Sequence, residues 1–245
     1  MDSLKGILVK DTELRNKEIK LNLVIYALFL IIAFSGILYG NTIKDNHSFL
    51  RIWDGQNIAL LLLGIPFLFL QDKVNIPNFW TANISNKQRL ILPAFIGSIF
   101  GILDVVVLKM LIHPEHYSEL PPFLQPFPYS CFLYFSGAVE IEVFYRLVPL
   151  TLILLMSNWY ADGKYFNRFF WIGVVITSLR EPLEQMPEGT ILLILYSLLT
   201  GFLMNFLQAI YYKKFGFLAT LAIRLGHYLF WHILLGIYVQ YFELL

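Results

Sequence analysis

The chain has 245 residues, of which 58% are hydrophobic and only 14% charged, with a mean hydropathy of +0.64. A soluble domain carries about 25% charged residues, and a net charge of +1 lacks the basic surplus that nucleic acid attracts. The composition therefore argues against a soluble globular protein and against a nucleic-acid partner. The single cysteine, Cys131, excludes an intramolecular disulfide and a cysteine metal cluster.

Residues 1–20 are polar and mixed in charge, unlike a signal peptide. The apolar run after them has no small-residue cleavage site and is expected to stay as an anchor. About 20 apolar residues cross a bilayer core, and runs of that order recur to the C-terminus. The predicted spans are Leu21–Tyr39, ending at Gly40-Asn41; Asn57–Leu70, interrupted by Pro66; and Leu90–Ile112. They continue with Tyr129–Met156, Phe166–Arg180, Thr190–Tyr212 and Phe215–Phe242. The expected fold is an all-α, polytopic transmembrane helix bundle of about seven spans, with eight as the alternative. Residues 1–128 supply the N-terminal spans and connecting loops, and 129–245 the core helices that carry the polar site.

Loop charge supports this count. Lys5, Lys10, Arg15, Lys17 and Lys20 precede the first span, and the loop 40–56 is mixed. Lys73, Lys87 and Arg89 follow the second span, whereas 113–128 has no Lys or Arg. Lys164 and Arg168 come next, then 181–189 with three glutamates and no base, then Lys213 and Lys214, then a tail with only Glu243. Basic and non-basic loops alternate, which is the positive-inside pattern for seven spans with a cytoplasmic N-terminus. The proline- and aromatic-rich loop 113–128 suits a connector resting in the headgroups, with a lid as the alternative.

Ionisable groups interrupt the apolar runs, each at a cost of at least ~2.5–3.5 kcal/mol at the bilayer centre. They persist when paired or when they line a polar cavity. In the fourth span Glu140 lies ~16 Å in from Tyr129 at 1.5 Å per residue. Glu142 and Arg146 are four apart and can pair on one helix face, while Glu140 points nearly opposite and needs another partner or water. In the last span Arg224, His227 and Trp231 share a face, and His232 lies well round from it. His227, ~18 Å along that helix, comes near the depth of the two glutamates. Arg180 and Glu181 stand inside the membrane if the fifth helix continues past Pro182, and in a loop if it stops there. Asn205 and Gln208 suit hydrogen bonds between helices. Asp104 is a weaker candidate, and Lys109 is expected to snorkel outward.

Carboxylates and imidazoles around a membrane cavity suit hydrolysis with a glutamate as base, proton- or ion-coupled transport, or a scaffold without chemistry. The residues alone leave all three open.

The stretch Ile141-Glu142-Val-Phe-Tyr-Arg146 resembles the EExxxR motif of the CPBP family, which comprises CAAX prenyl proteases and bacteriocin-processing enzymes and is also called the Abi family. Leu199–Leu218, with Gly201 and Gly216, resembles the helix and tight turn before that family's last motif. His227-Tyr-Leu-Phe-Trp231 stands where the family shows HxxxN or HxxxD. The resemblance covers roughly residues 129–240. Ile141 replaces the first glutamate, with Glu140 one residue earlier. The FxxxH motif has no histidine here but Arg180-Glu181, and Trp231 replaces the final Asn or Asp.

The resemblance implies an intramembrane endopeptidase cleaving a membrane-associated peptide or lipidated protein by glutamate-activated water, or the same fold without the protease. It implies a catalytic set of Glu140, Glu142, Arg146, Glu181, His227 and His232, with Arg180, Trp231 and Asn205 toward the substrate. A cofactor is not determined. A divalent metal is one option, weakly supported because a zinc site needs three protein ligands.

Overall fold

In the computed structural model every regular element is a helix among the described residues. These are 2–46 and 49–244, with the side chains of all but 2–12, 46 and 161. Helix α1 is Asp2–Ile43, α2 Gly55–Leu62, α3 Ile65–Leu70, α4 Leu92–Asp104 and α5 Tyr129–Glu142. Then come α6 Val148–Trp159, α7 Phe166–Glu184, α8 Ile191–Phe215, α9 Phe217–Tyr228 and α10 Leu235–Tyr238.

Several of these join into longer rods through π-helical turns. Lys87–Ile91 leads into α4 and Val105–Ile112 extends it. Val143–Leu147 joins α5 to α6, and Leu229–Leu234 joins α9 to α10. Two of these turns stand directly before prolines, Pro93 and Pro149, near the start of α4 and α6. A proline has no N–H, and its ring crowds the carbonyl four residues back, so the local hydrogen-bond ladder shifts. The interruption expected at Pro66 is the break between α2 and α3. There the Tyr26 hydroxyl donates to the Leu61 carbonyl at 2.6 Å.

Among the described residues five helical rods are long and apolar enough to cross a membrane: Glu13–Ile43, Gly55–Val74, Lys87–Ile112, Ile191–Phe215 and Phe217–Glu243. The two rods outside this set, 129–159 and α7, carry Glu140, Glu142, Arg146, Arg180 and Glu181, and those charges lower their mean hydropathy. The molecule is apolar on its surface and carries buried charges within. Leu28, Ile31, Phe95, Leu111 and Leu192 are exposed, whereas Arg146 and Arg224 are 0% and 1% exposed. Such a surface suits lipid, and such a core requires that each buried charge find a partner.

The main hydrophobic core draws on residues from Tyr26 to Tyr228, so the spans before residue 128 and those after it share one interior. The closest helix pair is α4 with α9. A Cβ at Gly97 would collide with the Ile223 carbonyl, one at Gly101 with that of His227, and one at Gly226 with that of Ala94. The backbones touch because these positions have no side chain, the packing mode of small residues four apart in membrane helices.

Helix α7 continues through Pro182 to Glu184, so Arg180 and Glu181 stand on a helix and not in a loop. The Lys109 side chain does not snorkel outward. It is buried beneath the start of the 113–128 loop, donating to the Glu115 carbonyl at 2.5 Å and pairing with Glu243 at 3.0 Å. The physical reason is the nearby carboxylate: Glu243 also accepts from the Tyr117 N–H at 2.9 Å, so ammonium, loop backbone and C-terminal helix meet at one point.

Candidate functional site

The polar residues fall into two layers: a fully buried charge network, and beside it a cavity of about 640 Å³.

The network centres on Glu142. Its carboxylate accepts from Arg224 Nε at 2.6 Å, from Gln208 Nε2 at 2.7 Å and from the Thr220 hydroxyl. Arg224 also donates through both terminal nitrogens to Glu181, at 2.7 and 2.6 Å. This two-pronged geometry is the strongest an arginine makes with a carboxylate. Arg146 donates to the Asn205 and Gln208 side-chain oxygens, the latter at 2.6 Å. The pairing expected between Glu142 and Arg146 is present only as a 3.7 Å approach, too long for a hydrogen bond. Glu142 is held instead from α9, by a residue 82 positions away. Two carboxylates and two guanidiniums balance in charge, so the cluster can be buried without a net ion.

The cavity lies against this cluster. Its wall includes Glu140 and Asn57, Asp104, Glu181 and Asn205, Arg224, His227, Trp231 and His232, and Arg51 at its rim. Of the residues singled out in the sequence, the structure thus brings together Glu140, Glu181, Asn205, His227, Trp231 and His232. Glu142 and Arg146 lie behind the wall. Arg180 lies off it: the side chain pairs with Glu184 at 2.8 Å, donates to the Phe144 carbonyl at 3.0 Å and covers the Tyr145 ring. Glu181 is occupied as the counter-ion of Arg224.

His227 and His232 both reach the cavity although α-helical spacing puts them well apart. The π-helical turn Leu229–Leu234 lies between them. Its hydrogen bonds span five residues, and this brings residues five apart toward one side. His227 Nε2 meets Asp104 Oδ2 at 2.7 Å, and Tyr196 of α8 donates to the other oxygen of Asp104 at 2.7 Å. With Nε2 donating to Asp104, the lone pair lies on Nδ1, a buried atom with no partner among the described residues. His232 Nδ1 donates to the Phe123 carbonyl at 2.8 Å, and its ring stacks on Tyr134.

Phe123 belongs to the 113–128 loop, which folds over one side of the cavity. Its ring stacks on Trp231 with centroids 5.2 Å apart, and its carbonyl also accepts from Tyr134. Leu124 and Gln125 of the same loop are buried. The stretch Phe123–Pro126 is thus packed, with Phe123 in the cavity wall, while most of 113–122 is exposed.

Sequence reasoning gave Asp104 little weight and passed over Tyr196, Thr220 and Arg51. One signal was present: Gly97 and Gly101 are four apart in an apolar run, a pattern that marks close helix contact. It sits one to two turns before Asp104 and locks α4 to the helix carrying His227. Among the described residues no group of three or more His, Cys, Asp or Glu side chains stands in a geometry that would hold a metal ion. The three protein ligands that a zinc site needs are thus not assembled among the described residues.

Comparison with family models, with curated proteins and with solved structures finds no match.

Proposed function

We propose that the chain is an intramembrane endopeptidase resembling the CPBP family, with seven spans and a cytoplasmic N-terminus, cleaving a membrane-associated peptide. The alternating loop charge and the seven helical rods support the topology. The observation that carries the chemistry is the cavity itself. It joins a carboxyl without an ion-pair partner among the described residues, Glu140, to a histidine held by a carboxylate, the Tyr196–Asp104–His227 chain.

In this reading Glu140 takes a proton from a water. The hydroxide oxygen adds to the substrate carbonyl carbon, whose π electrons move to oxygen. Collapse of that adduct breaks the C–N bond, and the departing amine takes up the proton from Glu140, with His227 beside them in the cavity wall. Apolar walls from Phe100, Leu108, Leu133 and Met204 lower the local dielectric and strengthen each of these interactions. Glu142, Arg146, Glu181 and Arg224 hold α5, α7 and α9 in register around the site.

The test is incubation of the purified protein in detergent with a mixed library of lipidated and unlipidated peptides, reading new termini by mass spectrometry. Cleavage by wild type that is lost in Glu140→Gln and in His227→Ala, both still folded, is the expected result. A well-folded wild type that cleaves nothing across a broad library overturns the proposal.

A second reading, a scaffold that has the fold without the protease, draws on one observation. The two residues that match the family's first motif, Glu142 and Arg146, are fully buried and do not line the cavity. Retention of cellular phenotype by Glu140→Gln and His227→Ala would favour it.

A further inference from the structure

The charges around the cavity are unequally satisfied. Glu181 and Arg224 neutralise each other, and Asp104 is held by Tyr196 and His227. Arg51, at the rim, has no carboxylate partner among the described residues; its guanidinium rests on Tyr134, 3.3 Å from the hydroxyl and over the ring. It is not a loosely hung surface arginine. Its backbone N–H donates to the side chain of buried Gln125 at 2.8 Å, and its carbonyl accepts from the hydroxyl of buried Tyr129 at 2.7 Å. Two buried side chains from a later part of the chain thus hold the backbone of an exposed residue whose guanidinium meets no carboxylate among the described residues.

Beside its polar groups the same cavity wall carries apolar and aromatic side chains, Phe123, Leu133, Leu108 and Trp231. A molecule with one anionic end and an apolar body can meet both Arg51 and these side chains. Glu140 sets its direction, since the same wall repels the anionic end from that side. We infer that Arg51 is the anchor of a subsite for the terminal oxyanion, a carboxylate or a phosphate, of an amphiphilic ligand whose apolar part lies in the cavity. Guanidinium is the side chain suited to this, because its planar fork meets either group with two parallel hydrogen bonds. The inference needs only the cavity and holds whether or not the chain is a protease.

Binding is measured by calorimetry on the intact protein in an uncharged detergent. The probes are palmitate, its methyl ester, a single-chain lysophosphatidate, and an apolar peptide with a free or an amidated C-terminus. The charged probes are expected to bind at least about tenfold tighter than their neutral counterparts, a difference of about 1.4 kcal/mol. Arg51→Gln should remove that preference, and Arg51→Lys, which retains the charge without the fork, should keep part of it. Whichever charged probe binds best identifies the source of the oxyanion. Equal affinity of wild type for palmitate and its ester, and for both peptide forms, overturns the subsite with no variant needed; so does an unchanged preference in Arg51→Gln. Because the readout is binding, failure here leaves the cleavage test standing, and failure of cleavage leaves this one standing.

Discussion

Arg224 and Glu181, 43 residues apart in the chain, meet in a two-pronged ion pair of 2.7 and 2.6 Å inside the bundle. The third nitrogen of the same guanidinium holds Glu142. One side chain thus ties α9 to both α7 and α5.

Removing that guanidinium leaves two buried carboxylates exposed to each other. Arg224→Met should therefore destabilise the protein by about 3–5 kcal/mol, the usual consequence of breaking a buried pair from one side. Arg146→Met should cost less, since Arg146 approaches Glu142 only at 3.7 Å and its Nε and one terminal nitrogen lack hydrogen-bond partners. Thermal melts of the two variants in detergent decide the order, and a lower melting temperature for Arg146→Met would contradict it.

The two neighbouring glutamates should separate by function. Glu140 faces the cavity without an ion pair, so Glu140→Gln should leave stability within about 0.5 kcal/mol of wild type while abolishing cleavage. Glu142→Gln removes the charge that balances Arg224 and should lower the melting temperature markedly. Parallel melts and cleavage assays read both effects. A Glu140→Gln protein as unstable as Glu142→Gln would place Glu140 in the structural network.

Asp104 should act on chemistry through His227. Asp104→Asn loses the charge that fixes the His227 tautomer, and cleavage should fall far more than stability. Tyr196→Phe deletes one interhelical hydrogen bond and should cost about 1 kcal/mol or less, with a small loss of rate. Turnover and thermal melts of the two variants distinguish the roles: Asp104→Asn should lose most of the turnover with its fold intact, and Tyr196→Phe should keep most of it.

The α4–α9 contact has no room for a side chain. Gly97→Leu should force the helices apart, lose stability and, by moving Asp104 from His227, lose activity as well. Chemical crosslinking between cysteines placed at Ser98 and Leu225 provides the check. Efficient crosslinking in the Gly97→Leu background would show that the backbones still meet.

Glu243 should hold the covering loop in place. In Glu243→Gln the buried ammonium of Lys109 loses its counter-ion and the Tyr117 N–H a charged acceptor. Hydrogen exchange over residues 113–118 should quicken while the rest of the bundle is unchanged. The exposed acid Glu119 supplies the control, and the same quickening in Glu119→Gln would remove Glu243 from that role.

The sequence by itself determined that the chain is helical and suited to lipid, because apolar run length and the need to satisfy backbone groups within each segment leave few other options. It also located most of the polar wall, since a charge or imidazole in an apolar run costs too much to be incidental. Tertiary structure decided the partners. Local spacing offered Glu142 a neighbour at Arg146, yet its hydrogen bonds come from Thr220, Gln208 and Arg224 of other helices. Fixed angular counting set His232 apart from His227, yet the π-helical turn between them brings both to the cavity. Asp104 gained its place only through the glycine contact of α4 with α9. Arg51, unremarkable in a mixed loop, became a candidate anchor once Gln125 and Tyr129 were seen to hold its backbone at the rim. Pairings of this kind are set by how helices cross, and a period read along one helix holds no information about the helix facing it.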